Sequence, residues 1–563
     1  MLKADAAQAV NLVYFTQLVN VVGSGAYARD IVAVVGGAQD TVWLTSVIPI
    51  LTVVLSSPVS QAADFWGRKW FLVCLTATGC VGSIVVSRAN SMPMAIAGFT
   101  VSGLSFGAQP LLHAVTSEVL PRTHRSYAQA SVNVSAPMGA IFGLYVGGAL
   151  TRNTRPENFR IYWYIAAAIY ASSALIVALL YNPPPRQLQL ELTSREKIQR
   201  LDWVGYFLLT SGLLLFCLGL SWSQNPYPWS NVHVLATFLI GVALTIGLVV
   251  YQWRFKHDGM FHHGLFRDRN FPLAVFCIFC EGISFFCANT YFAFGISMFH
   301  TPDPLQVGLH YSIAFYSYAF FAVVAGTIRA VIIVAFSALL IFNVLMATVT
   351  PTTSVANLWG YPVILGVGLG FCLTALMTAA QFSAPIEHIA VCSGLMIGVR
   401  SLGGSVGLAI YNAIFNSALS TNLAPKIAAA VLPLGLPETS LGPFISSLTA
   451  NNATAIAQIP GVNNEIIHAG GAALLDAFSV AFRYVWVAAG AFALPAIIGK
   501  VLPTTDSCAI IGLGICLQHF LTAAFFIYNP TNEFNTHIDA PVETDTINLH
   551  DGVDELHESE QKI

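Results

Sequence analysis

Apolar residues in this chain run in long unbroken blocks, separated by short polar breaks rich in glycine, proline and charge. Stretches such as 71–86, 161–180 and 234–251 hold almost no charged side chain. A helix rises 1.5 Å per residue, so about 20 apolar residues cross the ~30 Å hydrocarbon layer of a bilayer. The pattern predicts membrane-crossing helices at 8–24, 42–58, 70–87, 93–111, 129–150, 161–181, 203–221, 234–252, 271–292, 308–326, 330–347, 360–381, 391–417 and 476–502. The fold class that follows is an all-α polytopic membrane protein of about fourteen transmembrane helices.

Composition sharpens this reading. Charged residues make up 9% and apolar residues 56% of the chain, against roughly 25% charged in soluble domains. A soluble enzyme is therefore not expected, and the expected partner is the lipid membrane rather than nucleic acid. Lys and Arg concentrate in short cytoplasmic loops of membrane proteins. With the N-terminus inside, the inner loops carry Arg68 and Lys69, then Arg122 and Arg125, then Arg186, Arg195, Lys197 and Arg200, then Arg254, Lys256, Arg267 and Arg269. The outer loops at 222–231, 300–304 and 350–359 carry none, and 151–160, with Arg152, Arg155 and Arg160, is the exception. The ten cysteines lie scattered, and Cys277 and Cys280 stand in one apolar helix without a second pair, so they read as packing residues. His257, His262 and His263 lack a fixed ligand geometry, so no metal and no cofactor is expected. Asn452 heads an Asn-Ala-Thr sequon on the outer side, a candidate glycosylation site.

Three features carry chemistry. Between the second and third spans stands Ser60-Gln-Ala-Ala-Asp64-Phe-Trp-Gly67-Arg68-Lys69. An Asp at a helix end can pair with an Arg and a helix N-terminus in one conformational state only, and Gly67 permits a turn that a side chain would strain. The fifth span places Gly139, Gly143 and Gly147, followed by Gly148, at intervals that clear one helix face for close packing. The thirteenth span holds Arg400, and the ninth holds Glu281 as the clearest acidic counterpart. A charge at membrane depth normally faces a partner or a cavity. With Asn20, a polar residue at depth in the first span, they are candidates for substrate or proton handling.

The first motif resembles the loop-2/3 signature of the major facilitator superfamily, keeping its aspartate, glycine and two basic residues. Ser60, Ala62 and Phe65 depart from it. The fifth span is similar to the superfamily's antiporter motif, with Leu144 in place of proline, and Phe99 and Ser102 stand where a fourth-span arginine is usual. Further along, Leu112-His-Ala-Val-Thr-Ser-Glu-Val-Leu-Pro121 and Glu533-Phe-Asn-Thr-His-Ile-Asp-Ala-Pro541 resemble the fungal trichothecene efflux pump family. The resemblance implies a major facilitator fold: an N-terminal six-helix bundle (1–181), a cytoplasmic linker (182–202), two additional central helices (203–252), a cytoplasmic loop (253–270) and a C-terminal six-helix bundle (271–502) with an outer loop at 418–475. An anomalous apolar segment (503–528) and an acidic tail (529–563) follow. It also implies a monomeric, proton-coupled exporter of a small-molecule secondary metabolite or drug, working by alternating access in the plasma membrane or, alternatively, the vacuolar membrane. Siderophore–iron import by proton symport is the main rival, and a non-transporting sensor is the rival from another class. The short 326–330 connection suggests that residues are absent there.

Overall fold

The computed structural model describes residues 2–498, with breaks at 38–39, 120–124, 153–155, 185–188, 191–192, 223–226, 228–229, 257–258, 261–262, 268–269, 326–327, 386–387 and 450–452. The described chain is helical throughout its regular structure. Its long helices are α1 (Leu2–Ala26), α2 (Thr41–Trp66), α3 (Arg68–Ser87), α4 (Met92–Val119), α5 (Arg125–Thr151), α6 (Phe159–Leu180), α7 (Trp203–Trp222), α8 (Val232–Arg254), α9 (Asn270–Phe299), α10 (Pro304–Val324), α11 (Ile328–Ala347), α12 (Val355–Ser383), α13 (Ile389–Val431) and α14 (Asn464–Ile498). Twelve described helices are long and apolar enough to cross a bilayer. The other two, α1 and α11, lie where spans were expected. The acidic tail, the 503–528 segment, Asn452 and residues 326–327 fall outside the described residues.

Apolar helices in lipid gain little by hiding greasy surface from one another, so close backbone approach decides which faces meet. Helix α1 packs on α5 and α6, and α3 packs on α4 and α6. In the second half α9 packs on α12, α13 and α14, α10 on α12, and α11 on α12 and α14. Two helix groups, α1–α6 and α9–α14, result. They meet along two seams, α2 against α13 and α5 against α10.

Helices α7 and α8 form a hairpin. A Cβ on Gly241 would sit 2.4 Å from the Phe216 backbone nitrogen, and one on Gly219 would sit 2.7 Å from that of Phe238. The hairpin is central in sequence but peripheral in space. Leu213 and Cys217 of α7 join Ile50 and Val53 of α2 in a small apolar cluster beside the α2–α13 seam.

The segment 418–475, expected as an outer loop, is mostly helical. Helix α13 runs 43 residues before a turn, and the short helices Glu438–Thr449 and Ala453–Ala457 follow. Ile427, Val431, Leu436, Phe444, Ile456 and Ile466 give this cap its own apolar centre. We call the opposite end of the bundle, which carries Arg68, Lys69, Arg125 and Lys197, the basic end. Two arginines that depart from that polarity have local partners. Arg160 donates to the Ser87 carbonyl at 2.8 Å and to Asn90 at 3.0 Å, closing the C-terminus of α3, and Arg152 pairs with Asp303 at 3.5 Å.

Candidate functional site

At the basic end, α2 stops and α3 starts around Gly67. Its φ of 90° lies in the left-handed region, where a Cβ is penalised, and a Cβ there would also meet the Gln189 amide at 2.6 Å. The sharp corner turns Arg68 back toward the preceding helix. Arg68 donates to Asp64 Oδ1 at 3.1 Å and also to Glu118 Oε2 on α4. Asp64 and Arg68 are buried, at 6% and 3% exposure, so each charge depends on the other for solvation it has lost to burial. Lys69 donates to Asn182, Gln189 donates to the Trp66 carbonyl at 2.8 Å, and Lys197 donates to the Gln189 carbonyl at 2.9 Å. The linker after α6 is thus fastened to the corner. Glu118, Asn182 and Gln189 were not singled out from sequence.

The α5 glycines face several neighbours. A Cβ on Gly139 would lie 2.1 Å from the Phe15 carbonyl oxygen of α1, and one on Gly143 would lie 2.9 Å from the Tyr162 hydroxyl. Gly147 has ordinary space, 3.5 Å to Tyr27, whose hydroxyl donates to the Gly147 carbonyl at 2.9 Å. Gly148 points across the seam, where a Cβ would fall 2.6 Å from Leu305 Cα of α10.

Within the second helix group, Arg400 of α13 clasps Glu281 of α9 through two bonds, Nε to Oε2 at 2.6 Å and Nη2 to Oε1 at 2.9 Å. Its guanidinium also lies 4.5 Å from the centre of the Phe285 ring. Glycines permit the crossing: a Cβ on Gly282 would lie 2.0 Å from the Arg400 carbonyl oxygen, and one on Gly403 would lie 2.3 Å from that of Phe279. Asn20 is not beside this pair. It donates to Ser102 in a cluster confined to the first helix group, where Gln17 donates to the Ser105 carbonyl at 2.8 Å and Ser105 meets the Tyr170 hydroxyl at 3.1 Å.

A second polar cluster, absent from the sequence reading, joins the two groups near the basic end. Gln129 of α5 accepts from His113 Nδ1 of α4 at 2.7 Å and donates to the His113 carbonyl at 2.9 Å and to Ser117 at 2.6 Å. Ser117 donates to Gln381 of α12 at 2.6 Å, and Gln381 donates to Ser393 of α13 at 3.0 Å. One turn further along α5, Asn133 donates to Thr374 at 3.2 Å. His113, Ser117, Gln129, Gln381 and Ser393 are fully buried.

Among the described residues no group of three or more His, Cys, Asp and Glu could hold a metal ion. Of the three histidines considered earlier, His257 and His262 lie outside the described residues, and the His263 ring faces the Gln252 carbonyl at 3.0 Å.

Residues 16–408 match the model of the Major Facilitator Superfamily. The chain is 24% identical over 397 residues to an MFS-type transporter, ucsD, of an Acremonium species, covering 68% of this chain and 66% of that one, or about two thirds of its length. It is 26% identical to the MFS-type efflux transporter ffsH of Aspergillus flavipes, covering 66% of this chain and 67% of the other. It is 23% identical to a trichothecene efflux pump, TRI12, of Trichoderma arundinaceum, covering 82% and 78%. Among solved structures, the human organic anion transporter MFSD10 is similar at a TM-score of 0.48 and 14% identity, covering 74% of this chain and 94% of that one.

Proposed function

Because the chain belongs to the major facilitator superfamily, a family of multi-pass membrane transporters of small molecules, we propose that it is a proton-driven exporter of an amphipathic secondary metabolite. In this reading fourteen helices cross the membrane, the basic end faces the cytoplasm, and α1–α6 and α9–α14 rock about a midplane site. The observation that carries it is the pair of seams between the helix groups, each held by contacts that can open. At the basic end the contact is the Gln129–Gln381 bridge, and beside it the Asp64–Arg68–Glu118 cluster ties α2, α3 and α4 together within the first group. Near the cap end the contacts are Gly148 against Leu305 and Arg152 with Asp303.

The ligand class is inferred from the side chains that fill the interior of the second group. Tyr291, Phe294, Phe415 and Phe482 pack ring against ring at 5.1–6.3 Å. The buried hydroxyls of Tyr311, Tyr318 and Tyr411 have no hydrogen-bond partner. Apolar walls with a few convergent polar groups suit a bulky molecule bearing scattered oxygens. One proton crossing ~100 mV supplies about 2.3 kcal/mol, roughly a fifty-fold gradient. The relatives named efflux pumps support export over siderophore import.

The test is steady-state accumulation of a labelled trichothecene in pump-deficient yeast expressing the protein. Accumulation should fall, and a protonophore should abolish the fall. Unchanged accumulation at normal surface expression would remove this substrate class and bring ferric siderophore uptake forward.

A further inference from the structure

The fourth-span arginine that commonly accompanies such transporters is missing, and Arg400 and Glu281 neutralise each other through two bonds. We propose that His113 is the proton-binding group of this protein, and that a proton on its Nε2 unlocks the seam at the basic end. The proposal rests on the proton-driven reading above and assigns that reading its proton site.

The hydrogen-bond directions leave little freedom. Ser393 donates to the Ile389 carbonyl at 2.8 Å, so it must accept from the Gln381 amide nitrogen. The Gln381 oxygen therefore accepts, from Ser117 at 2.6 Å, and Ser117 in turn accepts from the Gln129 nitrogen at 2.6 Å. The Gln129 oxygen is then an acceptor, and the His113 Nδ1 facing it must carry the hydrogen. Neutral His113 consequently presents a bare lone pair at Nε2, which is buried and has no partner. Among the described residues of this network, this nitrogen and the Asn133 oxygen are buried acceptors without a partner, and of the two only the imidazole nitrogen is basic.

A proton arriving there would form an N–H bond with nothing to receive it. The imidazolium would be sealed in an uncharged network spanning α4, α5, α12 and α13. Charge without a counter-ion is strongly disfavoured in such a place, whereas water entering a parted seam would solvate it. Binding the proton and opening the seam thus favour each other, and losing the proton favours closure.

The surroundings agree in sign. From α1 the Tyr14 ring meets the imidazole edge-on, with centroids 5.6 Å apart. Helix α13 carries Cys392 and Ser393 and, further along, Arg400 paired with Glu281. Helix α5 offers Gln129 and, one turn earlier, Arg125. Helix α12 offers Gln381 and Thr378, neither of which titrates. On α4 itself Gln109 lies a turn away, and Glu118 is taken by Arg68, itself shared with Asp64 of α2. No carboxylate contacts the ring among the described residues, so nothing nearby would hold an imidazolium in the closed seam.

In an exporter the same linkage would set the order of events. Water on the outer side supplies the proton while the outer path is open. The protonated seam then parts toward the cytoplasm, releases the proton to water there and admits substrate, and the neutral seam closes behind it.

The test uses spin labels at two exposed positions, Tyr127→Cys on α5 and Val324→Cys on α10. They sit near the basic ends of helices that face each other across the seam. Full-length protein in lipid nanodiscs would carry serine at Cys74, Cys80, Cys508 and Cys516. As pH falls from about 8 to about 5, across the range where histidine titrates, the longer-distance population should grow. His113→Gln should stay at the short distance at every pH, and His113→Lys should stay at the long one. A wild-type protein insensitive to pH, a His113→Gln variant with the wild-type pH response, or Gln and Lys variants behaving alike would each overturn the proposal. No substrate is needed, so the two readings fail separately. A pH-gated seam with protonophore-insensitive efflux would sink only proton-driven export. Protonophore-sensitive efflux with a pH-blind seam would sink only the role of His113.

Discussion

Single atoms decide how closely these helices can approach. At Gly139 the atom that an added methyl would strike is a backbone oxygen, which cannot swing aside. Gly139→Ala should therefore part α5 from α1 and destabilise the protein by about 1–3 kcal/mol, the usual cost of overpacking. Gly147→Ala, whose added methyl would make only ordinary contact with Tyr27 at 3.5 Å, should be nearly silent. Thermal unfolding of the two purified variants, followed by the fluorescence of a thiol-reactive dye, compares them directly. Both glycines stand on the same stripe and look alike in sequence, so only the neighbour distinguishes them. The buried ion pair behaves differently. Glu281→Gln leaves Arg400 sealed without its counter-charge and should cost about 3–5 kcal/mol. Glu281→Gln with Arg400→Gln should recover much of that loss, because two amides can satisfy each other where one charge cannot. If the double variant unfolds no later than the single one, the pair does more than neutralise itself.

Among the elements, two carboxylates share Arg68 at the α2–α3 corner, whereas one carboxylate gathers the α7–α8 hairpin. Asp202, 1% exposed, accepts from the Gly205 amide at 2.9 Å, from Gln252 across the hairpin, and from the Met260 amide at 3.4 Å. Asp202→Ala should loosen the hairpin, and limited proteolysis should then cut within 253–263 sooner than in the parent protein. Equal rates would show that glycine packing alone holds the hairpin.

How much of this was readable in the chain depends on the element. Long charge-free blocks marked the helices well, because lipid demands an apolar surface along the whole span. The inter-group network was missed for a physical reason. The expected spans end at 111, begin at 129 and end at 381, so His113 and Ser117 fall outside them and Gln129 and Gln381 stand at their edges. The helices run on to Val119, from Arg125 and to Ser383, and the same residues are buried between the two groups. Hydropathy registers polarity but not what covers it. A polar residue every fourth position, His113 with Ser117 and Gln129 with Asn133, was the available signal. Likewise Asp64, Gly67 and Arg68 were legible as a motif, whereas Glu118 lies some fifty positions on in the chain and no local pattern ties it to them. The cap at 418–475 was read as a loop because its small apolar clusters are too short to look like spans.

In the molecule as a whole, two helix groups meet beside a clasped basic end. Asp64→Asn removes one of the two carboxylates that share Arg68 and so loosens the α2–α3–α4 corner at the basic end, which the proposed mechanism places at the inner gate. Export by this variant should fall several-fold while surface expression holds, measured as the initial rate of efflux from preloaded cells. The central claim is that protons moving one way drive substrate the other. Its most direct measurement uses purified protein in sealed liposomes loaded with a pH dye, with labelled trichothecene on one side and an imposed pH gradient. The account predicts that the gradient drives the label uphill, and that adding unlabelled trichothecene in turn moves protons, with both fluxes absent from protein-free liposomes. Substrate that equilibrates at the same rate with and without the gradient, and shifts no protons, would contradict it.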